Sequence, residues 1–318
     1  MPTDTKTEKR DPGPDLPVVK MHLHNPKAPG TARVVKSEIC TAGRRAAGFV
    51  RHVELDVSGT ELAGRFRAGQ SFGVIPPGQD ERGRPHQLRL YSIASPTKGE
   101  DGSGNVLATT VKRTIDEHWD DHSLFTGVCS NYLCDLKEGD EVLVTGPNGK
   151  RFLLPERPDE HDYLFFATGT GIAPFRGMIQ DLLDAGVTSR VVLVMGSPYS
   201  SDLLYHDELT ALAEKHPSFT YLTAISREGE GKVYVQDRIG THAETLVPLL
   251  EDKRSLVYVC GIAGMELGIF RELHARLDPG RLGRLLAVDQ EAGDPTGWNR
   301  KMVNRQLKPT RRMFLEVY

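Results

Sequence analysis

Cysteine is scarce in this chain and badly spaced for chemistry. Only Cys40, Cys129, Cys134 and Cys260 are present, and Cys129 and Cys134 stand too far apart for a Cys-x-x-Cys redox pair. No second pair completes a zinc or iron–sulfur ligand set. The thiols are read as reduced side chains, and the chain carries no metal cluster of its own. Long apolar runs are missing too: none approaches the roughly 20 residues that a membrane-spanning helix needs. Neither sign of charge is in excess. A net charge of −3 with neutral histidines favours neither nucleic acid nor a membrane surface. The polar, proline-bearing stretch from Met1 to Pro17 lacks the apolar core of a secretory signal. It reads as a flexible arm over 1–30, on a soluble protein of the bacterial cytoplasm or, if the arm is a targeting remnant, of an organelle stroma.

What is present fits two domains, as expected for 318 residues. From Thr31 to Phe152, short β-like runs are broken by glycine and proline, the pattern of an antiparallel barrel or sandwich. Examples are Gly48–Asp56, Gln70–Ile75, Leu107–Lys112 and Glu141–Thr145. The glycine-rich stretch Lys98–Asn105 reads as a flexible loop. After Pro155, apolar strands (Tyr163–Ala167, Val191–Gly196, Phe219–Ala224, Ser255–Cys260) alternate with helical patterns near Pro174–Ala185, Asp207–Lys215 and Glu244–Leu250. That alternation predicts a parallel, doubly wound sheet. The expected division is an arm over 1–30, a β domain over 31–155 and an α/β domain over 156–318.

Several segments carry chemistry. In Arg89-Leu90-Tyr91-Ser92, at a strand end, alternate side chains share a face, so Arg89 and Tyr91 point one way and Ser92 the other. An arginine clamps a pyrophosphate, a tyrosine ring covers a flat aromatic system and a hydroxyl bonds its edge, a set that suits a flavin. Gly127-Val128-Cys129-Ser130-Asn131 looks like a turn entering a short helix, whose exposed N–H groups seat an anion, with Ser130 as a further donor.

Gly169-Thr170-Gly171-Ile172-Ala173-Pro174 follows a strand and opens a helix, the setting of a phosphate-binding turn. It is not Gly-x-Gly-x-x-Gly, and the next strand runs into Gly196-Ser197-Pro198 without the carboxylate that usually reads an unphosphorylated ribose. Ser226, Arg227 and Lys232 are donors suited to a 2′-phosphate, and Tyr234 is a ring for adenine. NADP(H) is therefore expected over NAD(H). Cys260-Gly261 ends the last buried strand, where a small residue lets a nicotinamide approach. The sequence closes on Glu316-Val317-Tyr318, placing a carboxyl group and an aromatic ring where they can tune and cover the flavin.

Together these segments resemble plant-type ferredoxin–NADP⁺ reductases. The matching pieces are 89–95 (Arg-Leu-Tyr-Ser-Ile-Ala-Ser), 111–113 (Val-Lys-Arg), 127–136, 169–176, Ser226-Arg227 with 232–236, Val259-Cys260-Gly261 and the final Glu-Val-Tyr. The resemblance implies a six-stranded antiparallel FAD barrel followed by a five-stranded parallel NADP(H) domain. It implies reversible hydride transfer between NADP(H) and FAD, coupled to one-electron exchange with ferredoxin or flavodoxin, by a monomer that binds no nucleic acid. It places Arg89, Leu90, Tyr91, Ser92, Lys112, Gly127, Val128, Cys129 and Ser130 around the FAD. Thr170, Gly171, Ala173, Pro174, Ser226, Arg227, Lys232, Tyr234, Gln236 and Gly261 fall around NADP(H). Ser92, Cys260, Glu316 and Tyr318 surround the site of hydride transfer, and no residue is assigned to a metal.

The basic runs Arg44-Arg45 with Arg51, and Arg300-Lys301 through Arg311-Arg312, offer a surface for an acidic carrier. One departure stands out. The tyrosine that the family places shortly after Val-Lys-Arg to stack on the FAD adenine is missing from Thr114-Ile115-Asp116-Glu117-His118-Trp119, where His118 and Trp119 are the candidates. The stretch Ala287–Asn304 is also distinctive and reads as a loop around Trp298. The same residues leave open an NADPH-dependent reductase component of an oxygenase, an NADH-linked flavin reductase and a non-catalytic FAD redox sensor.

Overall fold

The computed structural model describes residues 13–318. Residues 1–12 of the expected arm lie outside them. From Gly13 onward the arm is held against the body. The N–H groups of His22 and His24 donate to the carbonyls of Pro147 and Gly146, and that of Glu156 donates to Asp15. A flexible arm is therefore not what residues 13–29 form: backbone bonds fix them in place.

Six strands make the first sheet: β1 (Gly30–Ile39), β2 (Val50–Asp56), β3 (Ser71–Ile75), β4 (Arg89–Ser92), β5 (Val106–Lys112) and β6 (Glu141–Asn148). They pair antiparallel in the order β4-β3-β6-β1-β2-β5. The two outer strands then meet. Ile93 bridges Thr109, and the Ala94 N–H donates to the Ala108 carbonyl at 2.7 Å, closing the sheet into a barrel with no open edge. Inward residues such as Val53, Leu55, Phe72, Val74 and Leu107 fill it, and helix α1 (Val128–Asp135) seals it with Cys129, Leu133 and Cys134.

The second sheet is parallel, in the order β9-β8-β7-β10-β11, from β7 (Asp162–Thr168), β8 (Val191–Ser197), β9 (Phe219–Ile225), β10 (Ser255–Gly261) and β11 (Met313–Val317). Helices cover both faces, so β8 and β10 are buried along their whole length, as their unbroken apolar runs require. The chain steps outward from β7 to β8 and β9, then returns to lay β10 on the other side of β7. The carboxyl ends of β7 and β10 thus flank the topological switch point, where ligands of such sheets bind. Among the described residues no helix is long and apolar enough to cross a membrane.

Helix α2 (Ile172–Asp184) is the joint between the halves. Its Gly177 lies so close to the barrel that a Cβ there would stand 2.1 Å from the Ser95 carbonyl oxygen. Ala173 packs with Ala94 and Ala108, and Thr97 donates to the Asp181 carboxylate through N–H and hydroxyl at 2.9 and 2.6 Å. Phe152, beyond the last barrel strand, stacks on Phe175 of α2 with centroids 5.8 Å apart.

Two loops differ from expectation. Lys98–Asn105 is glycine-rich yet ordered by Asp101, whose carboxylate accepts the N–H groups of Ser103, Asn105 and Val106. The stretch after Ala287 is a chain of 3₁₀ turns capped by Asp289, Asp294 and Asn299, and Trp298 is buried.

Candidate cofactor cleft and active site

Two helices aim bare amino termini into the molecule. The N-cap positions of α1 and α2 are Gly127 and Gly171, and no side chain caps either helix. Most other α-helices described lack a side-chain cap too, Asp278, which accepts the Arg281 N–H, being the exception; what marks α1 and α2 is where their amino termini stand. Uncapped N–H groups at the positive end of a helix dipole are anion seats. One stands on the barrel and one at the switch point of the parallel sheet, so the cleft offers a seat from each half.

On the barrel side, β4 supplies the side chains. Arg89 and Leu90 are exposed, while Tyr91 and Ser92 are half-buried. Burial, and after it a hydrogen bond with the Cys129 thiol, pushes the Tyr91 hydroxyl well above its ordinary pKa, so the ring is neutral and fixed between barrel wall and α1. Val128 is exposed beside it and Lys112 is exposed at the end of β5. Ser130 turns out to serve its own turn: its hydroxyl donates to the Gly127 carbonyl at 3.2 Å and accepts the Thr114 N–H at 3.2 Å. The anion donors here are the backbone N–H groups.

From that same turn projects a short hairpin, Ile115–Glu117 paired with Leu124–Thr126. Trp119 sits at its tip, 95% exposed, whereas Phe125 lies opposite Asp116, with the His118 ring edge-on at 5.8 Å. Phe125 escaped the sequence reading, which searched only the first strand of the hairpin. Its signal would have been cross-strand pairing, a two-residue step from the Gly127 turn.

On the α/β side, Gly169–Gly171 follows β7 as a single 3₁₀ turn and runs straight into α2. A Cβ on Gly171 would stand 2.1 Å from the Cys260 carbonyl oxygen, so only glycine lets this turn nestle against the end of β10. Cys260 is buried and pairs in register with Glu316 of β11. Burial raises the Cys260 thiol far above its ordinary pKa and lifts the Glu316 carboxyl to about 7.

The chain does not fray at Tyr318. Its N–H donates to Gly261 and its carbonyl accepts from Ala263 at 3.0 and 2.9 Å. Its hydroxyl lies 2.7 Å from Thr170 Oγ1, while the residue as a whole is 63% exposed. One run of contacts therefore gathers the expected reaction centre. Ser92 precedes Ala94, which touches Ala173; Gly171 meets Cys260; Cys260 faces Glu316; and Thr170 holds Tyr318.

The remaining groups stand further out. Ser226 and Arg227 follow β9, their N–H groups bonded to the carbonyls of Ser197 and Pro198. Arg227, Lys232 and Tyr234 are exposed, and the Tyr234 N–H donates to Asp237 at 2.7 Å. Gln236 is packed against Gly268. The nearest following carboxylate, Glu228, is engaged by the Ser200 N–H and hydroxyl. The end of β8 itself, Gly196-Ser197-Pro198, carries no carboxylate.

Known proteins agree with this geometry. Residues 165–269 match the oxidoreductase NAD-binding domain. The ferredoxin–NADP reductase of a Spirulina species is 40% identical over 265 residues, covering 80% of this chain and 88% of that protein. The leaf isozyme 1 of the chloroplastic enzyme from Arabidopsis thaliana is 42% identical, covering 79% and 71%. A Synechocystis counterpart is 39% identical over 84% of this chain, which spans 65% of the longer protein. The solved ferredoxin-NADP⁺ reductase of Plasmodium falciparum shares the fold, with a TM-score of 0.68 at 24% identity over 83% of this chain and 97% of that one. The chain belongs to the ferredoxin–NADP reductase family of oxidoreductases.

Proposed function

We propose that this enzyme transfers hydride reversibly between NADP(H) and FAD, and exchanges single electrons with ferredoxin or, in its place, flavodoxin. The observation that carries the proposal is the junction at Tyr318, an exposed ring pinned by backbone and hydroxyl beside the Gly169–Gly171 anion seat. The donors present suit both cofactors. Two uncapped helix N-termini would seat the two pyrophosphates, and the Gly171 turn is a cradle that any side chain would fill. When bound, the flavin and the nicotinamide supply the hydride chemistry and the step from electron pairs to single electrons.

The protein supplies position. Arg89 and the N–H groups of α1 would hold the FAD pyrophosphate, and Tyr91 and Ser92 the flavin ring. Phe125, rooted two residues from the α1 seat, is the platform for the adenine, ahead of the remote Trp119. Thr170 and the N–H groups of α2 would take the NADP(H) pyrophosphate. Ser226, Arg227, Lys232 and Tyr234 would read its 2′-phosphate end. Tyr318 would cover the flavin and would have to move aside for a nicotinamide to dock. Cys260 is small enough to let the nicotinamide approach, and Glu316 holds a proton near neutrality.

Exposed Arg44 and Arg45, beside exposed Phe49, give an acidic carrier a landing surface. Both half-sites come from one chain, so a monomer suffices. Four unpaired thiols suit a reducing cytoplasm or stroma. The test is direct: purified protein should be yellow with bound FAD, reduce ferricyanide with NADPH, and turn over ferredoxin less well as salt rises. A colourless protein that takes up no added FAD would overturn the proposal.

A further inference from the structure

At the seam lies a hollow of about 370 Å³ that none of the cofactor-site groups lines. Its walls come from the end of β1, from β2, from Glu100 in the loop after β4, from Arg176 of α2, and from α3 (His206–Lys215) with the preceding Tyr205. Five carboxylates (Glu38, Glu54, Glu100, Asp207, Glu208) face it against two cations, Lys36 and Arg176. The hollow is therefore acidic.

In its wall the His52 side chain, only 3% exposed, turns Nε2 toward two carboxylates: Glu54 Oε1 at 3.4 Å and Glu100 Oε1 at 3.8 Å. The three ligand atoms lie within 4.8 Å of one another. Ligands about 2.0–2.1 Å from a tetrahedral zinc ion stand roughly 3.3 Å apart, so the trio is nearly at coordination spacing without any ion to draw it in. The other ring nitrogen is already held. His52 Nδ1 lies 2.9 Å from the Tyr205 hydroxyl, which lies 2.5 Å from Thr110 Oγ1. Nε2 is the ring atom that meets Glu54 in the metal-free chain. For an ion to bind, the ring proton would move to Nδ1 and donate to Tyr205, whose own proton goes to Thr110, leaving the Nε2 lone pair for the metal in the outer-shell arrangement that metal-bound histidines use.

We propose that His52, Glu54 and Glu100 form a binding site for a divalent cation of the zinc class, with a fourth position open to the hollow. Two nearby cations oppose it. Lys36 Nζ is 3.4 Å from Glu54 Oε1, and Arg176 is 2.5 Å from Glu100 Oε1 while its Nε holds Glu208 at 3.0 Å. Lys36 also holds Glu38 at 2.8 Å, so the two cations pair with four of the five carboxylates, yet two positive charges against five negative ones leave the hollow net negative. Because Glu100 also anchors Arg176, the bound ion braces the loop 98–105 against α2. Its role is structural, since all three ligands stand outside the cofactor cleft. Cys40, in the same wall, is a thiol at neutral pH because burial pushes it up to about 12, so the first ligands are nitrogen and oxygen.

The test uses FAD-loaded enzyme, freed of metal with a chelator and dialysed at neutral pH against increasing Zn²⁺. Metal per chain is read by atomic emission and the melting temperature is read in parallel. One Zn²⁺ per chain is expected, with a melting temperature that rises with its concentration. His52→Asn should weaken binding about a hundredfold and Tyr205→Phe about tenfold. Lys36→Met should tighten it several-fold, because a positive charge leaves the ligand shell without disturbing a buried residue. If Zn²⁺ binds as tightly to His52→Asn as to the parent, the metal sits on surface histidines and the proposal fails. It fails equally if Lys36→Met leaves the affinity unchanged, or if no chain-stoichiometric Zn²⁺ is retained.

Discussion

On the barrel side of the cleft, the proposed ligand groups stand on short and partly open elements. β4 has four residues, half of them exposed, and the hairpin carrying Phe125 has three-residue strands with every position exposed. Across the seam, the groups beside the hydride site sit at the ends of buried strands. Cys260 is 1% exposed, and Gly171 touches the β10 backbone. The difference separates two kinds of constraint. Where the α/β half meets the reacting atoms, ligand geometry and fold are the same contacts, so a substitution disturbs both. On the barrel and at the adenosine end, ligand groups decorate a frame that stands without them. Changes there should alter binding and leave stability alone.

The largest effect should come from breaking this coupling at Gly171. Gly171→Ala places a methyl group 2.1 Å from the Cys260 carbonyl oxygen. About 3 kcal/mol of stability should go with it, along with NADP⁺ binding. Gly231→Ala meets open space and should shift the denaturation midpoint by no more than about 0.5 kcal/mol. Comparable midpoints for the two variants would dissolve the distinction. Next comes the exposed end. Arg227→Ala should raise KM for NADPH roughly 10–100-fold, the worth of a charge-assisted phosphate contact. KM for NADH and the melting temperature should hardly move, and an equal change for both nucleotides would remove Arg227 from the phosphate site. On the barrel, Phe125→Ala should weaken FAD retention about fivefold to tenfold by loss of base stacking. Trp119→Ala should leave it intact; the reverse ranking in FAD dissociation would move the adenine to the hairpin tip.

A smaller, pH-dependent effect belongs to Glu316. Burial raises its carboxyl from 4.5 to about 7, so the folded protein binds this proton more tightly than the unfolded chain does. The stability linked to this group is complete below about 4.5 and is lost progressively as pH rises to 7, then stays constant. Glu316→Gln should gain stability relative to the parent at pH 8 but not at pH 4, and its kcat should lose the inflection near pH 7. Parallel stability curves would show that the carboxyl is not buried in solution.

How legible the molecule was in its sequence follows the same divide. The Gly169–Pro174 turn could be read because close backbone approach demands glycine locally, and the buried strands because unbroken apolar runs have few other uses. Glutamate and histidine at 52, 54 and 100 gave no such sign. They come together with Arg176 and Tyr205 only after barrel and α2 dock, and no periodicity marks a meeting of residues so far apart in sequence. The loop 98–105 misled for a different reason: its glycines suggest freedom, but one carboxylate, Asp101, ties three of its N–H groups. Phe125 was hidden by register, since its neighbour Asp116 is nine positions away along the chain and opposite in the hairpin.

The ring at Tyr318, pinned to Thr170, Gly261 and Ala263, is the feature on which the proposed function rests, and its removal is the most direct trial. Titrating NADP⁺ into FAD-loaded Tyr318→Ser, followed by the flavin difference spectrum, should give a Kd about tenfold or more below that of the parent, because the nicotinamide no longer has to displace an ordered ring. An unchanged Kd would mean that Tyr318 does not stand in the nicotinamide's place.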